Sequence, residues 1–215
     1  MQITSYAHSC LLIEAAGKRI LVDPGEYSVE NANKWKNIDY VFVTHKHGDH
    51  FDEAVVTKTI PKGTPIYATK ETAAFYPKTN FTIIKESQLL DFGGVKVEVV
   101  RAIHGYNPLL KGEKEVHGAI GFVFDDGKRT YVTGDTICFP NNYKCDVLFL
   151  PVNNHGVCMG PFEAALFAKE TGAQIVCPYH LNSPKFPADL KKVEEEFKKA
   201  GINYKILKAG EKIEV

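Results

Sequence analysis

Four side chains that can bind a metal ion lie within six residues in the segment Thr44-His45-Lys46-His47-Gly48-Asp49-His50. The segment holds three of the eight histidines of the 215-residue chain. Imidazole nitrogens and carboxylate oxygens both coordinate divalent ions, and their clustering on one short loop makes a multidentate site. The segment therefore predicts a metalloprotein.

The residues on either side of this segment predict a strand, a ligand loop and a helix, in that order. The preceding residues, Asp39-Tyr40-Val41-Phe42-Val43, include the β-branched and aromatic side chains of a buried strand. Residues 52–58 favour a helix, and Asp52 is suited to cap its N-terminus. This order is typical of a site at the carboxyl edge of a sheet in an α/β protein.

Composition restricts the classes of function. Lys plus Arg and Asp plus Glu both number 26, so the formal charge is zero and no overall field favours nucleic acid or an acidic membrane surface. The apolar stretches are strand-sized and broken by charges, which predicts no membrane span or signal peptide. The five cysteines form no Cys-x-x-Cys pair, as expected in a reducing compartment. We expect one cytoplasmic domain over residues 1–215.

Hydrophobic patterning and turn residues predict the remaining elements. Because strands outnumber helices and helices occur between them, we expect two sheets with helices outside. The predicted strands are residues 2–6, 10–14, 19–22, 66–68, 95–102, 120–124, 129–133, 147–150 and 174–178, and the further predicted helices are 70–76, 162–171 and 188–200.

Three more candidate ligands lie where predicted strands become loops. His104 follows the strand at 95–102, Asp135 follows the strand at 129–133, and His180 follows the strand at 174–178. One loop cannot supply the ligands for two metal ions, so other strand ends must contribute. The shared position of these residues makes them the candidates.

The pattern His-x-His-x-Asp-His at residues 45–50, followed in order by a His, an Asp and a His, resembles the metallo-β-lactamase fold hydrolases. The resemblance covers nearly the whole chain. It implies an α/β (α+β) fold, a four-layered αββα sandwich of two mixed β-sheets flanked by helices. It also implies two divalent ions, the first bound by His45, His47 and His104, the second by Asp49, His50 and His180, with Asp135 bridging them.

Further stretches resemble the branch of this superfamily related to L-ascorbate-6-phosphate lactonase. They are Ala7-His8-Ser9-Cys10-Leu11-Leu12-Ile13-Glu14, Leu21-Val22-Asp23-Pro24 and Met159-Gly160-Pro161-Phe162-Glu163-Ala164-Ala165. The chain departs from the branch at Ala7, where Gly is more common, and at Leu181, where Tyr is more common. It is also much shorter than the lactonase, so the resemblance does not transfer the substrate.

The resemblance implies a metal-dependent hydrolase in which a metal-bridging hydroxide attacks a small ester, lactone or phosphodiester. We expect Asp49 to orient that hydroxide, and His8 to act as an acid or a substrate contact. Zinc suits the mixed imidazole and carboxylate ligands, and manganese or iron is compatible with them. The flavin-linked di-iron proteins of this fold are disfavoured, because His47 stands where they have Glu.

Two other classes of function stay open. One is a mononuclear iron oxidoreductase, dioxygenase-like, on the same fold, and the other is a non-catalytic metal-binding protein. The expected partner is a small-molecule substrate. Lys111 and Lys114 lie in a segment at residues 105–116 that is a candidate flap, where they either contact an anionic substrate or are ordinary solvated loop residues. Nucleic acid and membrane are not expected partners, and the sequence leaves homo-oligomer formation open.

Two residues outside the ligand set are candidates for supporting roles. Asp23, beside Pro24 at a strand end, is placed to hydrogen-bond a metal-binding histidine and fix its tautomer, or else to cap a turn. His155, in Asn153-Asn154-His155-Gly156, is placed to line the pocket from a loop. His117 is assigned no role.

Overall fold

A computed structural model describes residues 1–153, 155–184 and 186–215. Its first sheet has seven strands: β1 (Gln2–Ser5), β2 (Leu11–Ala15), β3 (Lys18–Val22), β4 (Tyr40–Phe42), β5 (Ile66–Ala68), β6 (Phe81–Ile83) and β13 (Lys212–Glu214). They pair in the order β13-β1-β2-β3-β4-β5-β6. The sheet is mixed, because β13 to β3 pair antiparallel and β3 to β6 pair parallel.

The second sheet has six strands: β7 (Leu89–Asp91), β8 (Lys96–Arg101), β9 (Ile120–Asp125), β10 (Arg129–Val132), β11 (Val147–Pro151) and β12 (Ile175–Tyr179). Their order is β12-β11-β10-β9-β8-β7. This sheet is also mixed, since β10, β11 and β12 run parallel and the other pairs run antiparallel.

Four α-helices cover the outer faces of the sheets: α1 (Glu53–Thr59), α2 (Lys70–Phe75), α3 (Pro161–Thr171) and α4 (Leu190–Lys199), with 3₁₀ helices at Glu26–Lys34 and Gly112–Lys114. A central core joins the sheets through aromatic side chains such as Phe42 and Phe122, whose ring centroids are 5.1 Å apart. Two outer cores lie beneath the helices, one around Trp35 and one around Phe167. The predicted four-layered αββα sandwich is confirmed.

The predicted elements agree with the structure, with shifts of a residue or two at their ends. Asp52 caps α1 as predicted, because its side chain accepts a hydrogen bond from the Val55 N–H at 2.9 Å. Helix α4 begins later than predicted, at Leu190, because Asp189 is its cap and accepts from the Lys191 and Lys192 N–H groups. No helix among the described residues has the length and apolar character needed to cross a membrane.

The sequence missed the first 3₁₀ helix and the strands β6, β7 and β13. The three strands have three residues each and lie at sheet edges, where most of their side chains are exposed. Short edge strands carry little of the apolar alternation that marks a half-buried strand. These segments are strands because they pair with a neighbouring strand of the sheet, and their own residues do not indicate it.

Candidate metal centre

The predicted ligands come together at one edge of the sandwich. The loop with His45 follows β4 of the first sheet, whereas His104, Asp135 and His180 follow β8, β10 and β12 of the second sheet. The shared strand-end position inferred from the sequence therefore corresponds to a shared place in the fold. Both sheets contribute to the site.

One cluster consists of three histidines, His45, His47 and His104. One ring nitrogen of each lies within 4.8 Å of the others. The His45 Nε2 and His47 Nδ1 atoms are 3.2 Å apart. Three imidazoles converging on one point form half or more of a typical zinc coordination sphere.

A second cluster contains Asp49, His50 and His180, and it includes His8 as well. The Asp49 Oδ2 atom lies 3.2 Å from His8 Nε2 and 3.3 Å from His180 Nε2. The sequence predicted His8 near the pocket but did not place it among the ligands. The structure brings it within the same 4.8 Å limit as the three predicted ligands.

Asp135 lies between the two clusters. Its Oδ1 atom is 3.3 Å from His50 Nε2 and its Oδ2 atom is 3.4 Å from His180 Nε2. It also forms a group with His45 and His50 in which the ligand atoms lie within 4.8 Å of one another. Asp135 thus contacts two members of the second cluster and groups with His45 of the first.

Hydrogen bonds to the outer ring nitrogens orient three of the histidines. The His47 Nε2–H donates to the Lys114 carbonyl at 2.8 Å, and the His104 Nδ1–H donates to the Gly105 carbonyl at 2.9 Å. The His50 Nδ1–H donates to Asp23 Oδ2 at 2.8 Å. Each bond directs the other ring nitrogen towards the cluster, where it can bind a metal ion once that nitrogen is unprotonated.

Asp23 is fully buried behind His50, and its predicted hydrogen bond to a site histidine is present. The carboxylate also accepts from the Thr44 N–H and the Thr44 hydroxyl, both at 2.8 Å. Burial raises the pKa of Asp23, although His50 and Thr44 oppose this shift. The alternative role, a simple turn cap, does not account for these three contacts.

Several buried polar atoms of the clusters have no hydrogen-bond partner among the described residues. They are His50 Nε2, His104 Nε2, Asp135 Oδ1 and both ring nitrogens of His180. A buried polar atom without a partner costs about 1–3 kcal/mol, so a group of them at one point requires an explanation. Imidazole nitrogens and a carboxylate oxygen that converge in this way fit divalent metal ions.

The electrostatics of the clusters also favour bound cations. Burial lowers the pKa of His104 to about 4 and lowers that of His45 well below its ordinary value, so both imidazoles are neutral ligands at pH 7. Burial alone would raise the pKa of Asp135, but His180 and His50 hold it well below the ordinary range. Burial alone would lower the pKa of His50, but Asp135 and Asp23 hold it well above. The Asp135 carboxylate is therefore ionised and interacts favourably with positive charge at this point.

A family model described as "Beta-lactamase superfamily domain" matches residues 2–180 of this chain. The chain belongs to that superfamily. It is 31% identical over 231 aligned residues to a UPF0173 metal-dependent hydrolase of Korarchaeum cryptofilum and 30% identical over 233 to one of Anoxybacillus flavithermus, with 100% of both chains covered in each case. The structure of Igni18, a metallo hydrolase of Ignicoccus hospitalis, has the same fold, with a TM-score of 0.79, 24% identity, and 99% and 97% of the two chains covered. The chain is thus a metal-dependent hydrolase of the metallo-β-lactamase superfamily.

A cavity of about 400 Å³ opens onto both clusters of this hydrolase. Site residues His47, Asp49, Asp135 and His180 form part of its lining, and His155 lines it too, as the sequence predicted. Asn154, in the same predicted loop, lies outside the described residues. A larger cavity of about 850 Å³ lies behind His104, but it reaches none of the other predicted ligands among the described residues.

The segment predicted as a flap, residues 105–116, is bound to the site by hydrogen bonds. The Gly105 N–H donates to the Val157 carbonyl and the Asn107 Nδ2 donates to the His155 carbonyl, both at 2.8 Å. The Lys114 carbonyl accepts the hydrogen bond from His47 Nε2–H. In the hydrolase this segment forms one wall of the cavity and orients a ligand of the first cluster.

One residue near the site was not singled out from the sequence. Cys158 is buried and forms a group with His155 and His180 whose ligand atoms lie within 4.8 Å of one another. Burial raises the pKa of its thiol well above the ordinary value, with Asp135 and Asp49 adding to the shift. A lone cysteine without Cys-x-x-Cys spacing carries no sequence signal of this kind.

Proposed function

We propose that this protein is a dinuclear metal-dependent hydrolase that acts on a small ester, lactone or phosphodiester. The observation that supports it most strongly is the pair of ligand clusters around Asp135, in which His50 Nε2, His104 Nε2 and both ring nitrogens of His180 lack hydrogen-bond partners among the described residues. Lactones stay in the proposal because of the stretches that resemble the lactonase-related branch.

The residues for each ion follow the clusters. His45, His47 and His104 would hold the first ion, Asp135 would contact both, and the second ion would be held by Asp49, His50 and His180. We propose zinc, because its ligands in proteins combine imidazole and carboxylate in this way, with manganese and iron as alternatives. When bound, such ions lower the pKa of a coordinated water towards neutrality and polarise the substrate oxygen, so that hydroxide is the nucleophile.

Asp49 is the proposed acceptor of a hydrogen bond from the attacking water. Its carboxylate lines the cavity, and its side chain is 24% exposed, so both a metal ion and a water molecule can reach it. Burial alone would raise the pKa of Asp49, but the His180, His8 and His50 side chains beside it hold the pKa well below its usual range. The carboxylate is therefore ionised at pH 7 and has an oxygen that can accept a hydrogen bond from water.

His8 is the proposed proton carrier beside Asp49. Its Nε2 atom is 3.2 Å from Asp49 Oδ2, its Nδ1 atom is 3.3 Å from Asn182 Oδ1, and its ring centroid is 3.9 Å from that of His180. Burial lowers the pKa of His8, with His180 adding to the shift, so the ring is neutral at pH 7. With its proton at Nε2, the neutral ring donates a hydrogen bond to Asp49 and can act as an acid towards the leaving group.

The charge of the substrate also belongs to the proposal. Lys114 lines the cavity and is the proposed contact for an anionic group, whereas Lys111 is not among the described lining residues. Contact by a single exposed lysine contributes little binding energy.

Asp49→Asn tests the proposed function. We expect the zinc-loaded wild-type protein to hydrolyse at least one member of a panel of simple carboxylic esters, lactones and phosphodiesters. Asp49→Asn should keep the fold and the first ion but lose about 100-fold or more in kcat, as is typical for loss of a group that orients the nucleophile. The measurements are initial rates, metal content and circular dichroism. Asp91→Asn, at the far edge strand β7, is the matched control and should leave the rate unchanged.

Two results would contradict the proposal. Wild-type rates in Asp49→Asn at full metal occupancy would refute the role of that carboxylate. Absence of turnover across the panel, in protein carrying both ions, would favour a non-catalytic metal-binding protein. Oxygen uptake by a preparation with one iron per chain would favour the iron oxidoreductase instead.

A further inference from the structure

An apolar patch forms part of the wall of the site cavity, beside charged and polar side chains. Side chains from three separate parts of the chain form it: Phe75 of α2, Leu109 of the segment at residues 105–116, and Phe186 of the loop after His180. The buried Val157 adds a further apolar contact beside His155. A volume of about 400 Å³ suits one small organic molecule.

These wall residues are unusually exposed. Phe75 is 45% exposed, Leu109 is 72% exposed and Phe186 is 37% exposed, and they are three of the nine large hydrophobic side chains that are exposed among the described residues. Single exposed hydrophobic residues are common on protein surfaces, but several around one opening mark a binding site for an apolar group. Here the opening is that of the metal centre.

The charges of the wall do not favour a strongly anionic ligand. Lys46 is nearly buried, pairs with Glu71 at 2.9 Å, and lies 5.7 Å from the centre of the Phe75 ring, so its charge is already neutralised. Lys114 faces a lining that also contains Glu26 and Glu113. No arginine is among the described lining residues, although arginine pairs are the usual receptors for phosphate and carboxylate groups.

From this combination we infer that the substrate is an uncharged carboxylic ester, thioester or lactone with an apolar substituent of several carbons. The inference rests on the proposed hydrolase function and specifies its substrate class. The carbonyl group lies at the two clusters, and the apolar substituent lies against Leu109, Phe75 and Phe186. A phosphodiester carries a negative charge that this lining does not pair, and a small hydrophilic lactone lacks the apolar substituent that the wall contacts.

A chain-length series tests the inference. The zinc-loaded protein is assayed with 4-nitrophenyl acetate, butyrate and octanoate, and with bis(4-nitrophenyl) phosphate. Each buried methylene is worth up to about fourfold in binding, so kcat/KM for octanoate should exceed that for acetate by about tenfold or more. The phosphodiester should be the poorest substrate. Equal values for acetate and octanoate, or a preference for the phosphodiester, would overturn the inference.

A pair of leucine variants locates the effect. Leu109→Ala should reduce the octanoate to acetate ratio of kcat/KM about fivefold, because the Leu109 side chain contacts the apolar substituent that octanoate has and acetate lacks. Leu89→Ala is the matched control, because Leu89 is 64% exposed on the edge strand β7, away from the cavity. The assignment of Leu109 to the wall is contradicted if Leu109→Ala leaves the octanoate to acetate ratio unchanged. It is also contradicted if Leu89→Ala changes this ratio by the same factor.

A binding measurement separates this inference from the proposed function. If none of these esters nor the phosphodiester is hydrolysed, the hydrolase proposal fails, and calorimetric titration of the zinc-loaded protein with 1-octanol and ethanol then tests the apolar wall alone. We expect 1-octanol to bind and ethanol not to bind, and Leu109→Ala to weaken 1-octanol binding several-fold. Absence of 1-octanol binding to the wild-type protein would refute the apolar wall.

Discussion

Residues next to the site adopt backbone conformations that are rare for side chains other than glycine. The φ angles are +90° at Ala7, +52° at His8, +47° at Asp23 and +63° at His180. Each such residue costs about 1–3 kcal/mol and persists where the surroundings require it. The turn at each position directs His8, Asp23 or His180 towards the clusters, so part of the stability of the fold is spent on arranging the site.

Ala7→Gly should stabilise the protein. Ala7 stands at the position where Gly is more common in the lactonase-related branch. Its φ of +90° is strained for any residue with a Cβ atom. Relief of that strain outweighs the extra freedom of glycine in the unfolded chain, for a net gain of about 1 kcal/mol. Urea denaturation monitored by circular dichroism measures the change in the free energy of unfolding.

The control for this prediction is Ala54→Gly. Ala54 is exposed within α1 and has ordinary helical backbone, so glycine there should destabilise the protein by about 1 kcal/mol. The change in the free energy of unfolding should be positive for Ala7→Gly and negative for Ala54→Gly. Loss of stability in both variants would show that the backbone at Ala7 is not strained.

At the residue scale, the candidate ligands could be predicted from the sequence better than the side chains that contact them. The types and strand-end positions of His104, Asp135 and His180 were enough to bring them to the site. The contact of His8 with Asn182 depends on how the first and last thirds of the chain pack. The grouping of Cys158 with His155 and His180 likewise depends on a loop conformation that spacing does not encode.

Among the elements, α2 is connected to both the ligand loop and the cavity wall through Glu71. Its carboxylate accepts from Lys46 Nζ at 2.9 Å, from the His117 N–H at 3.0 Å and from the Gly118 N–H at 2.5 Å. The segment that ends at His117 also presents the Lys114 carbonyl to His47. Glu71 is therefore a positioning residue for a histidine that it does not touch.

Glu71→Gln should lower both stability and affinity for the first ion. The amide can neither pair with the Lys46 charge nor accept all of these hydrogen bonds, for a loss of about 1–2 kcal/mol in the free energy of unfolding at pH 7. Loosening of the Lys114 carbonyl should weaken binding at the His45, His47 and His104 cluster by about tenfold, a usual effect of losing an outer hydrogen bond. Chelator competition with the zinc-loaded protein measures this affinity.

The pH dependence of stability checks the electrostatic part of this prediction. Burial alone would raise the pKa of Glu71, but Lys46 and the backbone N–H groups of Gly118 and His117 hold it below the ordinary value of 4.5. The stabilisation is therefore complete above pH 4.5 and is lost as the pH falls through the depressed pKa. The difference between wild type and Glu71→Gln should shrink in acid. The exposed Glu86→Gln is the control and should show no such difference at pH 7.

The loop at Gly25 approaches the ligand loop so closely that only glycine fits at this position, which the prediction of helices and strands does not reveal. A Cβ atom at Gly25 would lie 1.8 Å from the Asp49 carbonyl oxygen, and the Glu26 N–H donates to the Gly48 carbonyl at 2.9 Å. From the sequence, Pro24 and Gly25 indicate only the end of a strand. Strands with strong apolar patterns were therefore predictable, whereas the 3₁₀ helix after Gly25, which is fixed by this contact, was not.

On the scale of the whole molecule, the site joins the two sheets. The first cluster combines the β4 loop of one sheet with His104 of the other, and the second cluster combines the same loop with His180. Apolar packing between the sheets ends at this edge, where charged and polar groups replace it. Bound ions would thus add links between the sheets at the point where hydrophobic contact stops.

Metal removal should therefore lower the stability of the entire sandwich. Ions that bind only the folded state at about 100 times their Kd contribute about 2.7 kcal/mol each, so two ions should raise Tm by roughly 10–20 °C. Differential scanning calorimetry with and without chelator, together with metal analysis, measures the shift and the stoichiometry. His104→Ala should bind one ion fewer and lose about half of the shift, whereas His117→Ala, with a side chain that is 79% exposed, should match the wild type. A Tm that chelator leaves unchanged, or one ion per chain in the wild-type protein, would contradict the dinuclear site, because neither result is compatible with two clusters that each hold the sheets together.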